Sequence, residues 1–155
     1  METKKVNINW SDYNRIGINS IQQYVSSRKV FESPLDNEDI KAAGISKLKS
    51  GYDISRSNFF CHVVFFTISG SGCIETPFSK NIIDANKLML VPAGNPARYF
   101  IKSKEWNMIW FDLENTKRWS WLKKEKVQVR DAGEDFKPLY NACNRSHIAM
   151  TLCPS

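Results

Sequence analysis

The fold class of this chain is indicated by one segment, Phe59-Phe-Cys-His-Val-Val-Phe-Phe-Thr-Ile-Ser-Gly-Ser-Gly-Cys73. Its opening part, Phe59 to Ile68, is an apolar run rich in β-branched and aromatic side chains. Such a run is too short and too β-prone for a core helix, so it predicts a buried strand. The Ser-Gly-Ser-Gly that follows predicts a tight turn, after which the chain returns to an extended pattern.

Short strand-like segments separated by turn residues continue on both sides of this stretch. They lie at residues 44–49, 52–56, 81–84, 88–91, 98–102 and 106–113, with residues 127–129 as a candidate last strand. Short strands about 8–12 residues apart are typical of an all-β sandwich or barrel. We therefore expect a β-barrel domain over residues 43–130.

Helical spacing replaces the strand pattern toward both ends of the chain. In the N-terminal arm, residues 1–42, loosely spaced apolar side chains predict a short helix near residues 17–28. After residue 131, acidic side chains precede an apolar stripe, which predicts the start of a C-terminal helix over residues 131–155. No second helix covers this stripe, so we expect it to pack on the barrel or on a second copy of the chain.

The composition excludes several classes of protein. Of the 155 residues, 42% are hydrophobic, 12% aromatic and 25% charged, which is enough apolar surface to build a core and excludes a disordered chain. The longest apolar run is about ten residues and contains His62, so it does not span a bilayer. Residues 1–10 lack the apolar centre of a secretion signal, and we expect a cytoplasmic protein.

The net charge of +6 is concentrated after residue 116. The excess lies mainly in Lys117-Arg118 and in Lys123 to Lys126. A basic patch can attract nucleic acid by counterion release, but a patch this short is more typical of a solvated face.

Cysteine and histidine usage argues against a metal site and against a nucleophile. None of the four cysteines, Cys61, Cys73, Cys143 and Cys153, has a partner at zinc-site spacing. Cys61 and Cys73 lie in strand-like sequence and are predicted to be small core residues. One nearby histidine makes a Cys/His nucleophile a weak hypothesis. We therefore expect no cofactor and no metal.

Three segments, taken in order, resemble the cupin-like effector-binding domain of AraC-type transcription regulators. They are His62 to Gly72, then Leu88 to Gly94 followed by Arg98-Tyr99, and finally Glu105 to Phe111 with its Trp-x3-Trp pattern. The resemblance covers about residues 43–145. It implies a double-stranded β-barrel that binds a small effector, a helical pair that makes a dimer, and a separate helix-turn-helix domain that binds DNA.

The resemblance also sets expectations for partners. The sequence has no helix-turn-helix pattern, so we expect the sensor half of a longer regulator or a truncated gene product. Such a chain would form a homodimer through the C-terminal helix, reach DNA only through the missing domain, and have no enzymatic activity. Metal-binding cupins use two or three histidines and a glutamate, whereas the segment Asn95 to Arg98 has no histidine. A metal-dependent cupin enzyme and a stand-alone carbohydrate-binding β-barrel remain the alternatives.

The candidate ligand-binding residues come from strand alternation and from the resemblance. Trp106, Met108 and Trp110 share one strand face, and an indole ring can stack on the apolar face of a sugar. The resemblance places Trp110 in the effector pocket and matches Arg56 and Tyr99 to positions facing that pocket in sugar-sensing members. Their side chains supply hydrogen bonds that suit hydroxyl or carboxylate groups.

His62 completes the predicted ligand-binding set. It enters the barrel as a neutral imidazole if Phe60 and Val64 face inward, and a buried core histidine is the alternative. The predicted set is therefore Arg56, His62, Tyr99, Met108 and Trp110, with a sugar as the first ligand to test. Asp112 and Glu114 share a face at a strand end and are expected to be solvated.

The N-terminal arm generates the first testable prediction, because an allosteric sensor must bind its ligand better in one arrangement of arm and barrel than in another. Deletion of residues 1–15 should reduce the ligand-induced rise in melting temperature by a larger fraction than it reduces the free energy of unfolding of the ligand-free chain. Thermal and urea unfolding of both chains measure the two effects. An equal loss of both would contradict the arm hypothesis.

Overall fold

The computed structural model describes residues 10–26 and 39–132 of the chain. Within these ranges the backbone forms strands joined by short turns, and one 3₁₀ helix. The strands are β1 (Tyr13–Arg15), β2 (Ile21–Ser26), β3 (Ile40–Lys49), β4 (Asp53–Arg56), β5 (His62–Ser69), β6 (Gly72–Glu75), β7 (Lys80–Ile83), β8 (Lys87–Val91), β9 (Ala97–Ile101), β10 (Glu105–Leu113) and β11 (Gln128–Asp131). The 3₁₀ helix spans Lys117–Lys124, between β10 and β11.

The strands form two antiparallel sheets. One sheet has the order β1-β4-β9-β6-β7, and the other has the order β11-β8-β5-β10-β3-β2. A single core cluster contains side chains from both sheets, so their inner faces pack against each other. The predicted mainly-β barrel is therefore confirmed.

The predicted central stretch forms β5, a turn and β6, but the two strands belong to different sheets. β5 pairs with β8 and β10, whereas β6 pairs with β7 and β9. The turn includes Gly70, whose φ of 77° lies in the left-handed region that favours glycine. The Ser-Gly-Ser-Gly sequence thus carries the chain from the six-stranded sheet to the five-stranded sheet.

Trp106 fills the core between the sheets. Its ring is fully buried and meets the rings of Phe65 and Tyr52 edge-on, with centroid distances of 5.4 and 6.0 Å. The indole Nε1–H donates a hydrogen bond of 2.9 Å to Thr67 Oγ1. Gly72 leaves the space that this ring occupies, since an added Cβ would lie 2.2 Å from Trp106 Cη2.

A second apolar layer covers the outer face of the six-stranded sheet. Phe66 and Ile109 form one small cluster there, and Leu90, Leu113 and Leu122 form another. Leu122 comes from the 3₁₀ helix, which therefore lies against this outer face. Among the described residues, no helix has the length and apolar character needed to span a bilayer.

The predicted N-terminal helix near residues 17–28 is wrong in its described part. Residues 21–26 form β2, which pairs with β3 from Ile21↔Lys47 to Ser26↔Ala42. The edge of β3 has unpaired backbone N–H and C=O groups, and pairing with β2 satisfies them. A helix would gain less, because no apolar surface is available to cover the side chains of Ile21 and Tyr24. Both of these side chains remain more than half exposed.

The predicted C-terminal helix lies largely outside the described residues. Its expected first residue, Asp131, is instead the last residue of β11, which confirms a strand near residues 127–129. β11 pairs with β8 at the sheet edge, from Gln128↔Leu90 to Asp131↔Lys87. Residues 133–155, including Cys143 and Cys153, are not described.

Substitution of Gly72 by alanine should destabilise the barrel, because the new methyl group overlaps the buried ring of Trp106. Overpacking of this kind costs about 1–3 kcal/mol. Urea unfolding followed by tryptophan fluorescence measures the loss. Ser71→Ala, one residue away, is the control and should change the free energy of unfolding little. A Gly72→Ala chain as stable as the control would contradict this account of the core.

Candidate functional site

A cavity of about 290 Å³, open to solvent on one side, lies between the two sheets. Four of the five predicted ligand-binding residues line it. Met108 and Trp110 project from β10, Arg56 ends β4, and Tyr99 lies on β9. The predicted alternation along β10 is confirmed, since Trp106, Met108 and Trp110 belong to the inner cluster while Ile109 belongs to the outer one.

Trp110 forms an aromatic wall of the cavity and is held in one orientation. Its Nε1–H donates a hydrogen bond of 2.9 Å to Ser46 Oγ on β3. Gly44 gives the ring its space, because an added Cβ there would lie 2.5 Å from Trp110 Cζ2. The indole N–H is therefore already paired, and the ring contributes its apolar face to the cavity. Met108, which is 2% exposed, continues this wall inward.

Arg56 provides hydrogen-bond donors on the opposite sheet. Its guanidinium carbon lies 3.7 Å from the centroid of the Phe59 ring, a cation–π contact. No ion pair or hydrogen bond of its side chain is formed within the described parts of the chain. Arg98, on the outward parity of β9, is by contrast bound by Asp53 at 2.8 Å and by Glu75 at 3.4 Å. The half-buried Arg56 guanidinium is therefore accessible to molecules that enter the cavity.

Tyr99 and Tyr52 add hydroxyl groups to the same cavity. Both side chains are 6% exposed, and their ring centroids lie 6.4 Å apart. Burial raises the pKa of Tyr99 to about 12, although the nearby Arg56 lowers it somewhat. Burial also raises the pKa of Tyr52 well above 10. Both phenols are therefore protonated at neutral pH and can donate as well as accept.

Asp112 is a site residue that our sequence interpretation missed. It was expected to be solvated, but it lines the cavity beside Trp110. Burial raises the pKa of Asp112 from 3.8 to about 6, and the positive charge of Arg56 limits this rise. The signal that could have found it was strand parity, since Asp112 has the same parity as Met108 and Trp110.

His62 does not line the cavity. It shares the outward parity of Val64 and Phe66 on β5, whereas Val63 and Phe65 face the cavity. The Ala93 N–H donates a hydrogen bond of 2.9 Å to His62 Nδ1, so the proton of the neutral ring is on Nε2. Burial, and to a smaller extent Lys123, lowers the pKa of His62. The structure therefore places His62 in the core, with its Nε2 buried and without a hydrogen-bond partner among the described residues.

The N-terminal strands form one rim of the cavity. This rim is formed by Asn14 on β1, by Ile16 directly after β1, and by Gln22 and Tyr24 on β2. Tyr24 lies 6.2 Å from Trp110 between ring centroids and is 57% exposed. A ligand bound against Trp110 therefore lies within reach of residues that belong to the predicted arm.

The two described cysteines match their prediction as core residues. Cys61 and Cys73 are 1% and 0% exposed, and both thiols are free. Burial raises the pKa of the Cys61 thiol to about 11, which keeps it protonated and unreactive at neutral pH. Over residues 10–26 and 39–132, no three His, Cys, Asp or Glu side chains are grouped so that they could hold a metal ion.

Comparisons with known proteins identify the fold. The chain is similar to the protein Ylba from E. coli (9% identity, 85% of this chain and 51% of that chain, TM-score 0.57) and to vicilin from hazelnut, Corylus avellana (14%, 68% and 30%, TM-score 0.51). It is also similar to a cupin superfamily protein from Desulfitobacterium hafniense (14%, 60% and 77%, TM-score 0.46). The chain has a cupin-like fold. No protein-family model and no curated protein matches the sequence.

Asp112 generates a prediction about stability and pH in this cupin-like barrel. Because its pKa is higher in the folded chain than in the unfolded chain, folding binds a proton between about pH 4 and 6. The wild type therefore loses stability as the pH rises through this window, and Asp112→Asn does not. The free energy of unfolding of the variant should exceed that of the wild type at pH 7.5 by an amount on the order of 2 kcal/mol, and by much less at pH 4.

Urea unfolding at pH 4.0, 5.0, 6.0 and 7.5 measures this difference. The lowered pKa of His62 contributes equally to both chains and cancels in the comparison. Asp84→Asn, in an exposed turn, is the matched control and should change the free energy of unfolding little. A constant difference for Asp112→Asn would contradict the buried-carboxyl account.

Proposed function

We propose that this chain is the effector-binding and dimerisation domain of an AraC-type transcription regulator, and that it binds a small polyhydroxylated molecule, a sugar first, inside the barrel. The observation that carries the proposal is the composition of the cavity wall. One cavity is lined by four residues predicted from sequence, namely Arg56, Tyr99, Met108 and Trp110. A predicted ligand set that assembles in a cavity supports binding there.

The chemistry of the cavity suits a ring with an apolar face and several hydroxyl groups. Trp110 presents an apolar surface on which such a ring can stack. Arg56 on the facing sheet supplies donors, the Tyr99 hydroxyl donates or accepts, and Asp112 accepts. The volume of about 290 Å³ accommodates one small molecule.

Signalling in this proposal runs through the N-terminal rim. A ligand shifts an equilibrium only by its difference in affinity for the two states, so it must contact a segment that differs between them. Tyr24 and Gln22 offer such contacts from β2. The output would pass to a DNA-binding domain outside this chain and to a homodimer formed through residues 131–155, in the cytoplasm.

The proposed role of the cavity is ligand binding without catalysis. The only histidine in the described part of the chain, His62, faces away from the cavity, so the residues around the cavity offer carboxyl, phenol and guanidinium groups but no imidazole. A stand-alone carbohydrate-binding barrel would use the same wall, and the arm deletion distinguishes it, because such a module needs no coupling between arm and ligand.

Thermal unfolding against sugars, organic acids, fatty acids and divalent metals tests the proposal. A ligand at about one hundred times its Kd stabilises the fold by roughly 2.7 kcal/mol, which raises the melting temperature by several degrees. We expect one sugar to produce this rise and Trp110→Ala to abolish it. Trp121→Ala, an exposed tryptophan on the 3₁₀ helix, is the control and should keep the rise.

Two outcomes would contradict the proposal. A rise with a metal alone would favour the metal-dependent enzyme. An equal rise in the wild type and in Trp110→Ala would mean that the ligand binds elsewhere.

A further inference from the structure

The cavity holds two opposite charges on facing sheets. Asp112 projects from β10 and Arg56 ends β4, and both line the same cavity. Neither side chain has a hydrogen bond or ion pair with another residue in the described ranges. Both side chains are half-buried, and their polar atoms remain accessible from the cavity, so a molecule that enters it can form hydrogen bonds with both.

An arginine facing an aromatic wall would, by itself, make this cavity a site for anions. Guanidinium groups bind carboxylates through paired, charge-assisted hydrogen bonds. The carboxylate of Asp112 opposes this, because a second carboxylate in the same small space would be repelled. A neutral ligand avoids the repulsion and can donate hydroxyl hydrogens to Asp112 while accepting from Arg56.

We propose that Asp112 is the specificity-determining residue of the cavity, which accepts hydrogen bonds from the hydroxyl groups of a neutral sugar and excludes the carboxylate analogue of the same sugar. This inference rests on the proposed function, since it concerns the ligand of the same cavity. It goes further by assigning the choice between neutral and anionic ligands to one residue.

The selectivity should weaken as the pH falls. The pKa of Asp112 is raised to about 6, so the side chain is ionised at pH 7.5 and largely protonated at pH 5.0. Protonation removes the negative charge, and with it both the charge-assisted hydrogen bond and the repulsion, and leaves a neutral acid that can donate as well as accept. Arg56 is the charged group that lines the cavity opposite Asp112. Burial raises the pKa values of Tyr52, Tyr99 and Cys61, so these groups stay protonated across this range. His62, whose pKa is lowered, lies on the opposite face of β5 and does not line the cavity.

The test uses matched pairs of named sugars, namely D-glucose with D-glucuronate and D-galactose with D-galacturonate. Kd values for the full chain are measured by titration calorimetry at pH 7.5 and pH 5.0. At pH 7.5 we expect the neutral sugar of a pair to bind about tenfold or more tightly than its uronate, which is the factor that a hydrogen bond to a charged group provides. At pH 5.0 this preference should shrink.

Two variants test whether Asp112 causes the preference for neutral sugars over uronates. Asp112→Asn keeps the shape of the side chain and should lose the preference at both pH values, with the uronate gaining affinity at pH 7.5. Asp84→Asn, the exposed control, should keep both the preference and its pH dependence. Circular dichroism and urea unfolding confirm that each variant is folded.

The outcomes separate the two proposals. If wild type and Asp112→Asn prefer the neutral sugar over its uronate by the same factor, this inference is overturned and the sensor proposal still stands. Uronates that bind more tightly than neutral sugars at pH 7.5 would overturn it as well, because Arg56 would then dominate. Absence of binding by all four compounds at both pH values would overturn this inference together with the sugar form of the proposed function.

Discussion

The packing of Trp106 between the sheets is the constraint on which the rest of the structure depends. Its ring touches Phe65 from one sheet and lies edge-on to Tyr52, and its N–H is paired with Thr67. This indole fills the space between the sheets below Met108, and Gly72 must remain small to admit it. The positions of Met108, Trp110 and Asp112 then follow from the alternation of β10, so one buried ring sets the depth and the lining of the cavity.

The cavity wall combines a rigid apolar half with a polar half that lacks internal partners. Trp110 is fixed by Ser46 and seated on Gly44, so its ring is preorganised and loses little entropy on binding. Arg56 and Asp112 are the opposite case, since each is half-buried beside the cavity and has no hydrogen bond from the described residues. Side chains that break the rules of a stable core in this way concentrate at functional sites.

Much of the fold was predictable from sequence, because its signals are local. The apolar β5 run, the Gly and Pro turns and the alternation of β10 each specify an element without knowledge of its neighbours. The helix predicted near residues 17–28 failed because the pairing of β2 depends on the free edge of β3, which is a tertiary property. The positions of His62 outside the cavity and of Asp112 inside it were not predicted, for a related reason. Parity relates residues within one strand. The sequence does not say which face of β5 points inward or where the cavity ends along β10.

The position of β10 also governs how the barrel assembles. This strand lies in the middle of the six-stranded sheet, and its partners come from far earlier in the chain, as the sequence separation of 64 between Trp110 and Ser46 shows. Closing such long loops costs entropy before any contact compensates for it, so folding of this topology belongs to the slow class. The cavity is complete only when β10 has joined both neighbours. A molecule bound there consequently acts on the unfolding rate, by holding the finished barrel closed, and does little to speed the search that forms it.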